Sequence, residues 1–379
     1  MSTDLPEADR IEGAPHPRAT ERLIGQSAAE AAFLGAYSRG RLHHGWLITG
    51  PRGGGKATMA WRLARFLLAS PELASPENEG GMFAPAPPDS LDIPPTHSVA
   101  RRLLALSEPR LFLLRRTAND KGDKLQTVIT VDEVRKLKSF FTLSAADGGH
   151  RVAIIDAVDD MNPSAANALL KLLEEPPARV TLLLIAHQPA RLLPTIRSRC
   201  RELRLAPLSP ADLSAALTAA GGEVAPEDRI ALGELAAGSV GAAFALTNLD
   251  GLALYSRLIR LFSTLPRLDR PQALSLADAG AMRGAEAQFE LIVTLIDLFL
   301  ARLARTGTLG QAPPPAAPGE ADLLTRLSPS PAIARQWAEL AQTIGLRARR
   351  GKSVNLDPAA LLLDMVLKIG EAAETLAHR

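Results

Sequence analysis

Between residues 18 and 206, short apolar runs alternate with stretches whose apolar positions recur at helical spacing. The runs are GWLITG (45–50), LFLLRR (111–116), VAIID (152–156) and VTLLLIA (180–186). Each is too short for a helix and mostly apolar, as a strand covered on both faces reads. Residues 27–38 and 56–69 read as helices on either side of the first run. The alternation predicts an α/β domain: a parallel sheet covered by helices. After the third run, Asn162 is placed as an N-cap with Pro163 at the first helical position. Apolar residues at 165, 169, 172 and 173 then share one face, and Pro176 with Pro177 stops the helix.

Beyond about residue 207 the strand signals stop. LSPADLSAALTAAGG (208–222) has Ser209 as N-cap, Pro210 in the first turn and Gly221–Gly222 as its end. From there to Arg379 the chain reads as amphipathic helix, interrupted by GTLGQAPPPAAPGE (307–320), which is expected to be a mobile connection. The expected organisation is a disordered leader (1–17), the α/β domain (18–206), a small helical domain (207–251) and a larger C-terminal helical domain (252–379). Residues 70–98, rich in Pro, Gly and acid, read as a loop inserted on the surface of the α/β domain.

Composition narrows the class without choosing a function. A chain of 379 residues is too long for one ordinary core, and 46% hydrophobic with 22% charged residues fits a soluble globular protein. With 43 basic and 41 acidic side chains, bulk charge gives no argument for nucleic-acid binding. The single cysteine, Cys200, excludes an internal disulfide framework and a Cys-rich zinc module, and points to a reducing cytoplasm. The N-terminal stretch has no apolar core of a signal peptide. The most apolar helix, FELIVTLIDLFLARL (289–303), carries Glu290 and Asp297, so no membrane span is expected. His43 and His44 have no second cluster at ligand spacing and are read as structural.

The chemistry concentrates after the first strand. GPRGGGKA (50–57) has phosphate-loop spacing: Gly50, Pro51, Arg52, Gly53, Gly54, Gly55 and Lys56, between a strand and a helix. Glycines let successive backbone N–H groups curl around phosphate oxygens, the helix N-terminus adds its dipole, and lysine adds a point charge. The next position should carry a hydroxyl for magnesium, and it is Ala57. Thr58 cannot substitute, because one helical step turns a side chain by roughly 100°. Asp156, at the end of the third apolar run, could still face a metal. The carboxylate expected beside it is replaced by Ala157, and a water-activating group of that kind is typically worth about 10²–10⁴ in rate. Asp159 and Asp160 stand at the wrong strand positions and read as solvated residues ahead of the next helix.

These motifs together resemble the clamp-loader group of AAA+ proteins. NALLKLLEEPP (167–177) and the Ser198-Arg199-Cys200 triplet within TIRSRC (195–200) are similar to that family's most characteristic segments. RLIGQ (22–26), GWLITGPRGGGKA (45–57) and VAIIDAVDDMN (152–162) match its order and spacing, and NLDPAALLLDM (355–365) extends the match weakly into the helical region. The resemblance implies a P-loop AAA+ domain over 18–206, a helical lid over 207–251 and a helical oligomerisation collar over 252–379. An alanine after the strand aspartate is typical of the family's non-motor subunit, whereas motor subunits keep glutamate.

The implied function is that of a non-motor subunit of the bacterial DNA polymerase III clamp loader, part of the polymerase holoenzyme without an ATPase of its own. Its implied partners are the motor (gamma/tau) subunit and the clamp-opening (delta) subunit in a hetero-pentamer, with the sliding clamp and primed DNA reached through the complex. Arg199 is implied as an arginine finger acting on ATP of the neighbouring subunit. Gly50 through Thr58 with Asp156 would be a vestigial nucleotide site binding ATP or ADP weakly at most, with no cofactor required. Many relatives hold zinc with four cysteines in the insertion after the phosphate-loop helix; none stands at 70–98, so no zinc is expected. Gly241 stands where ATPase relatives place a nucleotide-sensing arginine. The alternatives are an autonomous AAA+ ATPase such as the motor subunit, against which Ala57, Ala157 and Gly241 argue, and a phosphate-loop module outside replication.

Overall fold

The computed structural model of the chain describes Glu7 and residues 10–70, 88–119, 125–143, 149–282 and 285–377. Most of the loop expected at 70–98 lies outside the described residues, as do residues 1–6, 8 and 9 of the leader. Two compact units account for the chain: residues 1–222 with 238–241, and residues 223–237 with 242–379. The stretch 207–251 is divided between them.

The first unit comprises α1 (Ser27–Ser38), β1 (Gly45–Thr49), α2 (Lys56–Ala69), α3 (Ser98–Leu104), β2 (Leu111–Arg115), α4 (Val131–Leu143), β3 (Arg151–Asp156), α5 (Pro163–Glu174), β4 (Val180–Ile185), α6 (Pro194–Arg197), β5 (Arg201–Arg204) and α7 (Pro210–Ala219). The strands form one parallel sheet in the order β2-β3-β4-β1-β5. Alternate residues of each strand feed opposite cores, as the two-residue period of a strand requires. Trp46, Ile48, Val152 and Ile154 pack with α1 and α2 around Phe33, Met59, Trp61 and Phe66. Leu47, Ala153, Ile155 and Leu182 pack on the other face with Leu137, Phe141, Leu169 and Leu173.

The four apolar runs are all strands, but β5, RELR, was not expected. It buries only Leu203. Its other residues are solvated at the sheet edge, and Arg201 lies over the Trp46 ring at 5.1 Å. An edge strand has one face and one side to cover, so its sequence need not be apolar.

RLIGQ acquires a role here. The Gln26 side chain donates to Ala206 O (2.8 Å) and accepts from Ala206 N–H (3.1 Å), closing the unit where the sheet ends. Near the other terminus, Glu7 accepts from Arg18 (2.9 Å) and Arg115 (2.7 Å), and the two guanidinium groups hold its carboxyl below the ordinary range against the opposing effect of burial.

The second unit holds α8 (Arg229–Ala236), most of α9 (Val240–Asn248), α10 (Gly251–Ser263), α11 (Arg270–Ala281), α12 (Glu286–Leu309), α13 (Glu320–Leu327), α14 (Pro331–Ser353) and α15 (Pro358–Ala377). The interruption expected at 307–320 is not a free connection. Helix α12 continues to Leu309, and Arg302 within it donates to Glu320 Oε1 (2.7 Å), Glu234 Oε2 (3.0 Å) and the Pro314 carbonyl. Glu320, fully buried, also accepts from Ala316 N–H (2.6 Å) and the Tyr255 hydroxyl. A proline-rich stretch reads as a linker until an upstream charge is seen to bind its Pro314 carbonyl and the Glu320 carboxylate at its end.

Candidate functional site

Because β3, β4 and β1 are neighbours, whatever follows their C-terminal ends meets at one edge of the sheet, where α/β sheets hold ligands. The loop 50–55 follows β1 and turns through Gly50 (φ 136°), Gly53 (φ 72°) and Gly55 (φ 90°), conformations that side chains disfavour. Lys56 opens α2 and is buried. Its ammonium donates to Gly50 O (2.9 Å) and Pro51 O (2.7 Å). Burial pulls its pKa down to about 8, partly opposed by the charges of Asp159 and Asp156.

Asp156 ends β3, buried, in register with Ile185 of β4. Ala157 behind it is also buried and carries no oxygen. Asp159, expected to be solvated, instead accepts from the backbone N–H groups of His187 (2.7 Å) and Gln188 (2.9 Å), fixing the turn after β4. Asp160 pairs with Arg116 (2.9 Å), and its carboxyl is pushed up mainly by burial. Both are tie points, Asp159 to the turn after β4 and Asp160 to the residue after β2, contacts that adjacent sequence cannot show. His187 is pushed down to about 4, first by burial and then by the Lys56 charge.

On the loop's other side, Gly241 N–H donates to Gly53 O (3.1 Å), and Ser239 Oγ donates to Arg52 O (2.7 Å). A Cβ on Gly241 would stand 2.9 Å from Gly53 Cα and 2.8 Å from Ile11 Cδ1. No side chain fits there, least of all an arginine.

The loop and the helix N-terminus supply N–H donors of the kind a phosphate takes, but the Lys56 ammonium is engaged by the Gly50 and Pro51 carbonyls. Of the buried atoms without hydrogen-bond partners, His187 Nδ1 could serve a phosphate, whereas the Asp159 Oδ1 carboxylate oxygen opposes an anion. Catalytic magnesium fits poorly, with Ala57 where a hydroxyl belongs and one carboxylate at Asp156. Among the described residues no group of three or more His, Cys, Asp or Glu is arranged to hold a metal.

Arg199 lies elsewhere. Its carbonyl is 3.4 Å from where a Cβ on Gly45, the first residue of β1, would stand. The phosphate loop follows the last residue of β1. Four intervals of about 3.3 Å put roughly 13 Å between the two ends of the strand. Arg199 therefore serves no phosphate in its own loop. Its guanidinium donates to Thr195 O (3.1 Å) and pairs with Glu174 Oε1 (2.9 Å), and the side chain stays 36% exposed. Ser198 Oγ donates to Thr195 O (3.2 Å), orienting the same turn. Burial pushes the Cys200 thiol up to about 12, which leaves it an inert packing group.

The family model described as DNA polymerase III, delta subunit, matches residues 89–209. The DNA polymerase III subunit delta' of Escherichia coli (strain K12) is 29% identical over 340 residues, 89% of this chain and 92% of its own. That of Pseudomonas aeruginosa is 37% identical over 157 residues, a stretch spanning 41% of each chain. The chain is thus similar to delta-prime subunits of DNA polymerase III, over most of its length in the Escherichia coli case and over less than half of it in the Pseudomonas case. A gamma-type subunit also aligns: the DNA polymerase III subunit gamma of Buchnera aphidicola is 27% identical over 198 residues, 52% of this chain and 47% of its own. The family model's range takes in Asp156 and Arg199 but not the phosphate loop.

Sequence reasoning singled out the loop residues, Asp156 and Arg199, and did not single out Asp159, His187, Ser239 or Glu174, which the structure brings against them. Only Glu174 had a signal, its place in LLEEPP.

Proposed function

We propose that this chain is the non-motor delta-prime subunit of a DNA polymerase III clamp loader, helping to load the sliding clamp on primed DNA. Arg199 acts as an arginine finger on ATP held by the adjacent gamma/tau subunit, and a delta subunit flanks the other side of the hetero-pentamer. The chain needs no cofactor, binds ATP or ADP weakly at most, and holds no zinc. Residues 207–251 act as the lid and 252–379 as the collar through which subunits assemble.

The observation that carries the reading is the placement of Arg199 at the opposite end of β1 from a phosphate loop that lacks its metal ligand. An exposed arginine that cannot reach its own loop supports action on a second molecule. The planar, permanently charged guanidinium suits charge spread over a transferring phosphoryl group.

The test is Arg199→Ala in reconstituted complexes, reading DNA- and clamp-stimulated ATP turnover, with assembly checked by size-exclusion chromatography. An exposed arginine carries little folding energy, so assembly should persist. Hydrolysis at the neighbouring site should fall by about 10³–10⁵, and total turnover by less because other sites remain. Arg199→Lys should not rescue it. Normal turnover and loading by an assembled Arg199→Ala complex would end the trans-acting role.

A further inference from the structure

Helix α5 ends on Glu174, followed by Glu175. Carboxylates there face the negative end of the helix dipole, a position that favours cations. Nothing in the fold of α5 itself calls for an acid. The helix is fixed at its start by Asn162 Oδ1, which accepts from Ala165 N–H (2.8 Å). At its end, His44 Nε2 bonds the otherwise spare carbonyl of Leu173 (3.0 Å) from the residue just ahead of β1. The final turn is thus tied to the start of β1.

The Arg199 turn is brought against that platform. A Cβ on Gly45 would meet Leu173 Cδ2 at 3.0 Å, Cys200 Sγ at 3.3 Å and Arg199 O at 3.4 Å. Gly45 is the gap through which α5, β1 and the arginine turn approach one another. Across it the Glu174 carboxylate, 47% exposed, takes one side of the Arg199 guanidinium at 2.9 Å. Thr195 O takes another N–H at 3.1 Å. Of five guanidinium N–H donors, these contacts leave at least two for a phosphoryl group.

We propose that Glu174 is a positioning residue for Arg199, holding the guanidinium in the orientation from which it reaches the neighbouring subunit's nucleotide. The proposal rests on Arg199 being a finger. The glutamate touches no substrate. It replaces a freely rotating side chain by one fixed at two points, and misplacing a catalytic group can cost on the order of 10²-fold in rate.

The experiment uses reconstituted complexes containing the full chain with Glu174→Ala, Glu174→Gln, Arg199→Ala, or Glu174→Ala together with Arg199→Ala. Stimulated ATP turnover is read alongside assembly. At the neighbouring site, Glu174→Ala should slow turnover by about 10- to 10²-fold, less than Arg199→Ala does. Glu174→Gln keeps an acceptor oxygen and should recover part of the loss. In the Arg199→Ala background, Glu174→Ala should have no further effect, because the group it positions is gone. A purely structural role would show neither the glutamine rescue nor this silence. If Arg199→Ala is slow while both Glu174 variants turn over normally, the positioning role is overturned and the finger stands. If the double variant is slower than Arg199→Ala alone, Glu174 acts elsewhere and the proposal is again overturned. If Arg199→Ala is itself normal, the finger reading fails and takes this one with it. Should Glu174→Ala fail to assemble, Glu174→Gln alone and a Glu174→Gln variant combined with Arg199→Ala are compared instead, and a further loss in the combined variant or normal turnover by Glu174→Gln overturns the proposal.

Discussion

Ala157 shows how far the loss of chemistry has been built into the packing. Restoring a glutamate there looks like a one-residue repair, yet the site is buried beside Val158 and a carboxylate would enter without a partner. The metal would still lack its hydroxyl at Ala57, and Gly241 still leaves no room for a sensing side chain. Ala157→Glu is therefore expected to lower the melting temperature and to create no magnesium-dependent ATPase in the isolated chain. Robust turnover by that single variant would refute the view that three parts are missing. At this scale the sequence was informative wherever spacing along one segment fixes the chemistry, as in Gly50 to Lys56. It was silent where a partner arrives from another strand. Asp159 meets His187 across 28 residues, and nothing near Asp159 marks it as more than a polar residue before a helix.

Among the elements, β1, β3 and β4 were legible because both faces of each are covered and their sequences are apolar throughout. β5 was not, since its solvated edge admits Arg, Glu and Arg around Leu203. Helix α5 was legible through its caps, but the use of its last residue was not. The β3–β4 pair also carries a pH response. His150, just before β3, bonds Thr181 Oγ1 of β4 (2.9 Å), and burial, reinforced by Arg110 and Arg179, pushes it down to about 4. An unfolded histidine titrates near 6.5. Between these values the unfolded chain binds the proton and the folded chain does not, so stability rises with pH there and is lost as pH falls from about 6.5 to 4. His150→Gln can keep the hydrogen bond without titrating. In denaturant titrations, the wild type should lose more stability than His150→Gln across that window. Equal slopes would show that His150 is not kept neutral by the fold.

For the whole molecule, the two units differ in what they leave exposed. The α/β unit buries its central strands on both faces and exposes a few apolar side chains, such as Leu104 and Leu106, while the helical unit exposes larger fractions of them near the end of α14 and the turn beyond it. Leu346 is 61% exposed, Val354 62% and Leu356 54%. Scattered apolar residues are ordinary on a surface, and these three lie within eleven positions of one another along the chain. If residues 252–379 are the collar, the occupant is the equivalent helical region of the neighbouring clamp-loader subunits, since amphipathic helices bury an apolar face against similar helices. Leu346→Glu combined with Val354→Glu should cost the isolated chain little, because exposed substitutions usually stay within about 0.5 kcal/mol of neutral. In the pentamer each leucine-sized contact is worth roughly 1.5–3 kcal/mol when fully buried, so the pair should weaken assembly by about 10²-fold or more. Thermal melting of the free chain and size-exclusion chromatography of the reconstituted complex separate the two effects. A complex that assembles at unchanged affinity with both glutamates in place would mean that this surface faces solvent in the clamp loader and that the assembly contacts lie elsewhere on the chain.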